Sequence, residues 1–329
     1  MPLEDSVKAV AGLPAALAAA FEPAPAAVPA DWPGRDNSHG VLVAGLRWHV
    51  QWFDLAPANL AATDAASAVR RRPTVLLLHG TGASTHSWRG LLPHLLPHAR
   101  VLVPDLPGHA GTERPSAASG LSLPGMASSL AALLQVLQLQ PDLVVGHSAG
   151  AAIGARLCLD GGAAPHSLLS INGAWFPPQG VAGLWYAPMA RLMASNPLAP
   201  PLLSWHSSQP AVLRRLLKGI GSPLDEQGQA LYRRLARRAD HVAAVIAMMA
   251  AWDLQPLLRD LPKLQPQLHL LAAQGDRAVP PAGAQTLRLH LPGAHVHPLP
   301  GLGHLAHEEA PERVAPLVLS LLAGDGARR

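Results

Sequence analysis

The chain has 329 residues, 49% hydrophobic and 14% charged, with 25 lysines and arginines against 21 aspartates and glutamates for a net charge of +4. That is enough apolar material for one large core with an inserted lobe, and too apolar a composition for a chain disordered throughout. The single cysteine, Cys158, excludes an internal disulfide and fits a reducing, cytoplasmic setting, where it is expected to be a buried, inert thiol.

Residues 1–38 are rich in Ala and Pro; Glu4 and Asp5 precede the apolar part and Pro14 interrupts it, so a secretory signal is not expected. This segment reads as a loosely attached arm or short helix. Residues 40–53, GVLVAGLRWHVQWF, predict a strand pair turning near Ala44 and Gly45. An Ala-rich, polar linker then runs to Arg70, Arg71 and Arg72 and is expected to be a surface loop. From Thr74, short apolar runs (TVLLLHG, RVLVPDLPGH, DLVVGHSAG, SLLSING) alternate with helical stretches such as LSLPGMASSLAALLQVLQL. Strands alternating with helices imply an α/β fold with a mostly parallel sheet and helices on both faces.

The alternation stops at residues 175–250, which carry helical patterns broken by Pro and Gly and no strand signal. It resumes with PQLHLLAAQGD, a helix over Ala282–Leu291, AHVHPLPGLGH and a terminal helix from about Ala306 to Leu322. The expected units are an N-terminal arm over 1–38, a sheet domain over 39–174 and 251–329, and a helical cap over 175–250. The cap sequence holds eight basic side chains against three acidic ones, so the positive character of the chain resides there. A solvated helical face accounts for this, as does a surface for an anionic substrate, a partner or the periphery of a membrane. Nucleic-acid binding is not expected, because aromatics are not interleaved with the basic residues. Nor is a transmembrane segment, since no apolar run reaches roughly 18 residues.

The chemistry concentrates at Ser148. In VVGHSAGAA an apolar run ends in GxSxG and continues into a small-residue helix, the pattern of a nucleophile elbow that projects a serine hydroxyl toward a base. His304, in GLGHLAHEEAP, follows the last strand run and is the expected base. Asp276 follows QLHLLAAQG and is the expected acid, with Asp253 in MMAAWDL as the alternative. The order Ser, Asp, His suits acyl-transfer chemistry on a parallel sheet. The oxyanion donors expected are the backbone amides of Ala149 and, in the loop HGTGAST, Thr81. Asp105, in VLVPDLPGH, is expected to organise the turn after it. No cofactor is expected: a nucleotide loop fails because GxxxxGK[ST] is absent, and metal catalysis fails because HExxH is absent and His295 and His297 lack a third ligand.

These residues identify the chain as similar to the α/β-hydrolases from about residue 40 to 322. More narrowly it resembles the magnesium-chelatase accessory proteins of bacteriochlorophyll biosynthesis, the BchO group. RWHVQ at 47–51, HGTGASTHSW at 79–88, LSLPGMA at 121–127, VVGHSAGAAI at 144–153, SNPLAP at 195–200, MMAAWDL at 248–254 and GLGHLAHEE at 301–309 carry the likeness. One departure is DLPGHAGT, where related chains usually have Gly in place of Ala110. The resemblance implies a role around magnesium insertion into protoporphyrin, in photosynthetic pigment synthesis, with a chelatase contact and a tetrapyrrole as candidate partners. The serine set implies a hydrolase acting on a small-molecule ester, thioester or similar acyl bond. The competing class is a binding or accessory protein whose triad is inherited and unused, with Trp175, Trp185 and Trp205 suited to a flat apolar ligand.

Overall fold

The computed structural model describes residues 15–54, 72–177 and 180–326, without the side chains of 15, 16, 180–187, 325 and 326. Nine strands of the described residues form one sheet: β1 Glu22–Pro23, β2 Ser38–Val43, β3 Leu46–Phe53, β4 Thr74–Leu78, β5 Arg100–Pro104, β6 Leu143–His147, β7 Ser167–Ile171, β8 Gln267–Ala273 and β9 His295–Leu299. Their order is β1-β2-β3-β5-β4-β6-β7-β8-β9. The pairs from β1 through β3 to β5 are antiparallel; every other pair is parallel. Each strand run from Thr74 onward therefore falls where the sequence places it.

The β2–β3 hairpin turns on Ala44 (φ 49°) and Gly45 (φ 82°). Two successive left-handed residues make the tight turn whose twist suits a hairpin. In the parallel region both faces of each strand are buried. Leu76, Leu78 and Val144 pack with Leu130, Leu133 and Ile153 of the helices Leu123–Val136 and Ala149–Leu159. Their neighbours Val75, Leu77 and Val145 point the other way, onto Leu91, Leu95, Val314 and Val318. Period-two side chains with no polar face can be satisfied only by helices on both sides. Each such leucine, fully removed from water, contributes roughly 1.5–3 kcal/mol.

Between β7 and β8 the described residues form six α-helices: Gly180–Ser195, Ala199–Ser207, Pro210–Gly219, Glu226–Ala236, Ala239–Ala250 and Gln255–Asp260. No single helix among the described residues is long and apolar enough to cross a membrane. Two expectations need correcting. Residues 15–37 are not loosely attached: a short helix does form at Ala15–Ala20, but Leu17, Val28 and Trp32 are buried, Trp32 Nε1 donates to Thr85 Oγ1 at 3.2 Å, and β1 pairs with β2. Apolar residues this far apart show no period, so their burial is invisible until the partners are in place. The terminal helix is two helices, Ala306–Glu309 and Pro311–Gly326, because Pro311 has no amide to continue the first and is well suited to start the second. The linker expected before β4 falls at 55–71, outside the described residues; Arg72 at its end donates to Leu96 O at 2.6 Å and Ala99 O at 3.1 Å.

Candidate active site

Ser148 sits between β6 and the Ala149–Leu159 helix with φ 51° and ψ −117°, outside the regions an L-residue prefers. Holding it there costs about 1–3 kcal/mol, which the packing on either side must offset. Two glycines make that packing possible. A Cβ on Gly146 would lie 2.5 Å from the backbone of Ala151, and one on Gly150 would lie 2.2 Å from Leu78 O, so strand and helix meet backbone to backbone. Ser148 N donates to Ile171 O at 3.0 Å, and Ser148 O accepts from Ala174 N at 3.1 Å, tying the turn to the end of β7.

His304 and Asp276 meet because β8 and β9 are parallel neighbours whose carboxyl ends lie side by side. His304 Nδ1 is 2.8 Å from Asp276 Oδ2. The other carboxylate oxygen, Oδ1, accepts from the backbone amides of Ala278 and Val279, both at 2.8 Å. The acid is thereby fixed by its own loop with one oxygen left for imidazole, and the network assigns the imidazole proton to Nδ1. Asp276, Ser148 and His304 are 6%, 9% and 8% exposed, enclosed yet not sealed. Among the described residues the Ser148 hydroxyl makes no hydrogen bond; in an unliganded site such a contact commonly tightens only when substrate arrives.

The alternative acid is elsewhere engaged. Asp253 is exposed, and its Oδ1 accepts from Gln255 N at 2.9 Å ahead of the Gln255–Asp260 helix. The two expected oxyanion positions flank Ser148. Ala149 opens the helix, where the first amides have no intrahelical acceptor. On the facing loop a Cβ on Gly80 would lie 3.0 Å from Ser148 Cβ, and Thr81 follows, its hydroxyl directed at Met248 Sδ at 3.9 Å. Asp105 holds this loop to the next: its oxygens accept from Thr85 N at 2.7 Å and Gly111 N at 2.9 Å, and His49 Nδ1 lies 2.5 Å away. Burial opposes ionisation of Asp105, but His49, His79 and the Gly111 amide together keep its carboxyl well below the usual range. Ala110 takes φ 44° in this turn, a conformation easier for glycine, and is held by Ala110 N to His241 Nδ1 at 3.1 Å and Arg238 Nη1 to Ala110 O at 2.7 Å.

Several supporting residues were given no role by the motifs. Asn172, in the left-handed region at φ 47°, donates from Nδ2 to Gly303 O at 3.0 Å and His304 O at 2.8 Å while Oδ1 accepts from Ala273 N at 2.8 Å. An asparagine at a strand end, in ING, was the only local hint, since Asn tolerates that backbone. His147 donates from Nε2 to His304 O at 2.9 Å, its ring between those of His304 (4.7 Å) and His307 (4.5 Å). Burial, reinforced by the neighbouring imidazoles, holds its pKa well down, so it acts as a neutral brace.

The loop Ile220–Ser222, after the Pro210–Gly219 helix, grips the loops that carry Asp276 and His304. Ile220 O accepts from Arg277 N and from His304 N, each at 3.3 Å. Ser222 Oγ accepts from Leu305 N at 2.8 Å and donates to Glu309 Oε1 at 2.6 Å, and the same carboxylate accepts from Gly303 N at 3.1 and 3.2 Å. A Cβ on Gly303 would lie 2.1 Å from Gly221 O, so this contact also needs bare backbone. Deeper, Glu308 accepts from Tyr232 Oη and Arg89 Nη1, both at 2.6 Å, joining the Glu226–Ala236 helix to the same region.

Trp175 and Trp205 do not form one wall. Trp175 is buried, with Nε1 donating to Ser170 Oγ at 3.2 Å; Trp205 is 64% exposed; the Trp185 side chain lies outside the described residues. A cavity of about 110 Å³ lined by Val28, Trp32, Asp105, Ala110 and Arg238 is not lined by Ser148, Asp276 or His304. Burial pushes the Cys158 thiol up to about 12, which leaves it protonated and unreactive at neutral pH. His295 and His297 on β9 stack on His269 of β8, with ring centroids 5.0 and 5.3 Å apart.

Residues 75–317 match the Alpha/beta hydrolase family. Over 300 residues the chain is 38% identical to the magnesium-chelatase 30 kDa subunit of Rhodobacter capsulatus, covering 91% of this chain and 99% of that protein. It is 28% identical over 267 residues to a pimeloyl-(acyl-carrier protein) methyl ester esterase of Aromatoleum aromaticum, covering 77% of this chain and 99% of the esterase. Among solved structures, Cfl2 of Burkholderia cenocepacia superposes with a TM-score of 0.69 at 20% identity, over 87% of this chain and 95% of that one, a likeness of fold. The chain belongs to the alpha/beta hydrolase family and, within it, is similar to the magnesium-chelatase 30 kDa subunit.

Proposed function

We propose that this protein is a serine hydrolase that cleaves an ester, thioester or similar acyl bond in a small molecule, in connection with the magnesium-chelatase step of bacteriochlorophyll biosynthesis. The observation that carries the reading is the Asp276–His304 pair: one carboxylate oxygen held by two backbone amides, the other 2.8 Å from Nδ1. In this reading His304 Nε2 takes the Ser148 proton as Oγ bonds to the acyl carbon, then gives it to the leaving group as the acyl bond breaks. The amides of Ala149 and Thr81 stabilise the oxyanion. Water, activated by His304, then releases the acid and restores Ser148. Residues 175–250 act as a cap over this end of the sheet, the usual ligand edge of such folds. The test is labelling of the full chain by a fluorophosphonate. Covalent modification that disappears in Ser148→Ala and falls sharply in His304→Ala is expected. A folded protein that is not labelled overturns the proposal.

A second reading is favoured by the relative named as a chelatase subunit: a non-catalytic accessory protein that contacts magnesium chelatase or holds a tetrapyrrole. It predicts that a strain carrying Ser148→Ala makes bacteriochlorophyll normally and that protoporphyrin quenches the tryptophan emission of the protein. A pigment defect in the Ser148→Ala strain, with the variant present at normal level, decides for the hydrolase.

A further inference from the structure

Of the nine large hydrophobic side chains that are exposed among the described residues, six lie between Met189 and Leu216: Met189, Leu192, Leu198, Leu202, Trp205 and Leu216, from 44% to 74% exposed. Single exposed leucines need no explanation, but a concentration on three successive helices does. The helix Ala199–Ser207 is inverted relative to an ordinary surface helix. Leu198, Leu202 and Trp205, at i, i+4 and i+7, share its outer face, while Ser204 is buried with its hydroxyl on Ala236 O at 2.8 Å. Met189 and Leu192 stand one turn apart on the preceding helix, whose Ala190 is buried. That helix contacts Ala199–Ser207, which in turn contacts Pro210–Gly219, where Leu213 and Leu217 face inward and Leu216 outward.

The charge around this surface has one sign. From Gly161 to Leu224 the sequence holds no aspartate or glutamate. Arg191, Arg214, Arg215 and Lys218 are exposed on the same helices, and none pairs with a carboxylate among the described residues. Leucines and a tryptophan projecting outward, rimmed by arginines and lysine with no acid, complement an apolar layer beneath anionic headgroups: the aliphatic groups enter the acyl boundary, indole sits at the interface, and the cations meet phosphate. A protein partner would have to offer an apolar face bordered only by acids; a bilayer offers both as its ordinary surface.

We infer that the outer face of the cap, Met189 to Lys218, docks this protein on an anionic lipid bilayer. The first two of these helices pack on Ala239–Ala250, whose Met248 meets the Thr81 hydroxyl, so docking would bring the proposed site beneath the membrane-facing helices. The inference does not depend on catalysis, and its test does not use activity.

The test is co-sedimentation of the full chain with vesicles of phosphatidylcholine alone or mixed with phosphatidylglycerol, at low and high salt. Binding to the mixed vesicles is expected, weaker by at least about tenfold on neutral vesicles or in high salt. The double substitution Leu202→Ser/Trp205→Ser and the triple Arg214→Glu/Arg215→Glu/Lys218→Glu should each reduce binding by at least about tenfold, with unfolding midpoints unchanged because the side chains are exposed. On the otherwise unaltered chain, brominated lipids should quench emission that is lost in Trp205→Phe. Failure to bind the mixed vesicles at low salt, or equal binding by the substituted chains, overturns the inference. So does a concentration-dependent dimer that the double substitution abolishes in a chain that ignores vesicles, which assigns the face to a second copy.

Discussion

Substituting Ser222 by alanine removes one hydroxyl from a fully buried junction between the helical segment and the histidine loop. Leu305 N then loses its acceptor at 2.8 Å and stays buried, an unsatisfied amide costing about 1–3 kcal/mol. Glu309 loses a donor at 2.6 Å, a charged hydrogen bond of about 1.5–3 kcal/mol, although Gly303 N still holds the carboxylate. The two losses belong to one network and do not add fully, so we expect destabilisation of about 2–4 kcal/mol. Because the same loop carries His304, a loosened loop should also slow fluorophosphonate labelling of the folded protein by roughly tenfold to a hundredfold. Urea unfolding measures the first effect. Labelling rates well below the unfolding transition measure the second, without a contribution from unfolded chains. A variant destabilised by less than about 0.5 kcal/mol refutes the clamp. One that is destabilised yet labels at the normal rate when folded shows the clamp to be structural and refutes its role in positioning His304.

Two further outcomes follow from the geometry. Asp276→Asn should lower the labelling rate by on the order of 10³ to 10⁴-fold by disturbing the imidazole tautomer, while Asp253→Asn should leave it within about twofold; the reverse ranking would transfer the acid role to Asp253. Stability should fall as pH drops below about 6.5. Burial holds His147, His86 and His109 well below their ordinary value, His241 down to about 4 and His307 to about 3. The unfolded chain therefore takes up protons that the native state refuses, and stability present above pH 6.5 is lost toward those lower values. Glu308 acts in the opposite sense: burial, despite Arg89 and Tyr232, pushes it up to about 7, so its contribution is full below about 4.5 and lost as pH rises through 7. One carboxyl against several imidazoles leaves the histidines dominant, and urea midpoints that do not decrease from pH 7.5 to pH 5 would contradict this.

The strands and the elbow were legible because their signals are local. Alternation and apolar runs mark β4 to β9, Ala44-Gly45 marks the hairpin turn, and GHSAG can form the strained turn at Ser148 only with glycine at 146 and 150. The N-terminal segment was not legible: Leu17, Val28 and Trp32 are isolated apolar residues whose partners are far along the chain, and no window reveals them. The split at Pro311 falls inside a continuous helical pattern, although a proline there is itself a local warning.

By itself the sequence determined strands β2 to β9, the chain order Ser148, Asp276, His304, and the insertion after β7, since period, turn chemistry and order are properties of neighbouring residues. The sequence favours Asp276 over Asp253 as the acid, although both end apolar runs. The parallel pairing of β8 with β9 places Asp276 Oδ2 2.8 Å from the imidazole. The contacts of Asn172 and Ser222 belong to the tertiary structure: their hydrogen bonds cross 132 residues from Asn172 to His304 and 83 from Ser222 to Leu305. Such contacts exist only once a buried donor must find an acceptor, and that demand arises from the fold rather than from any run of residues.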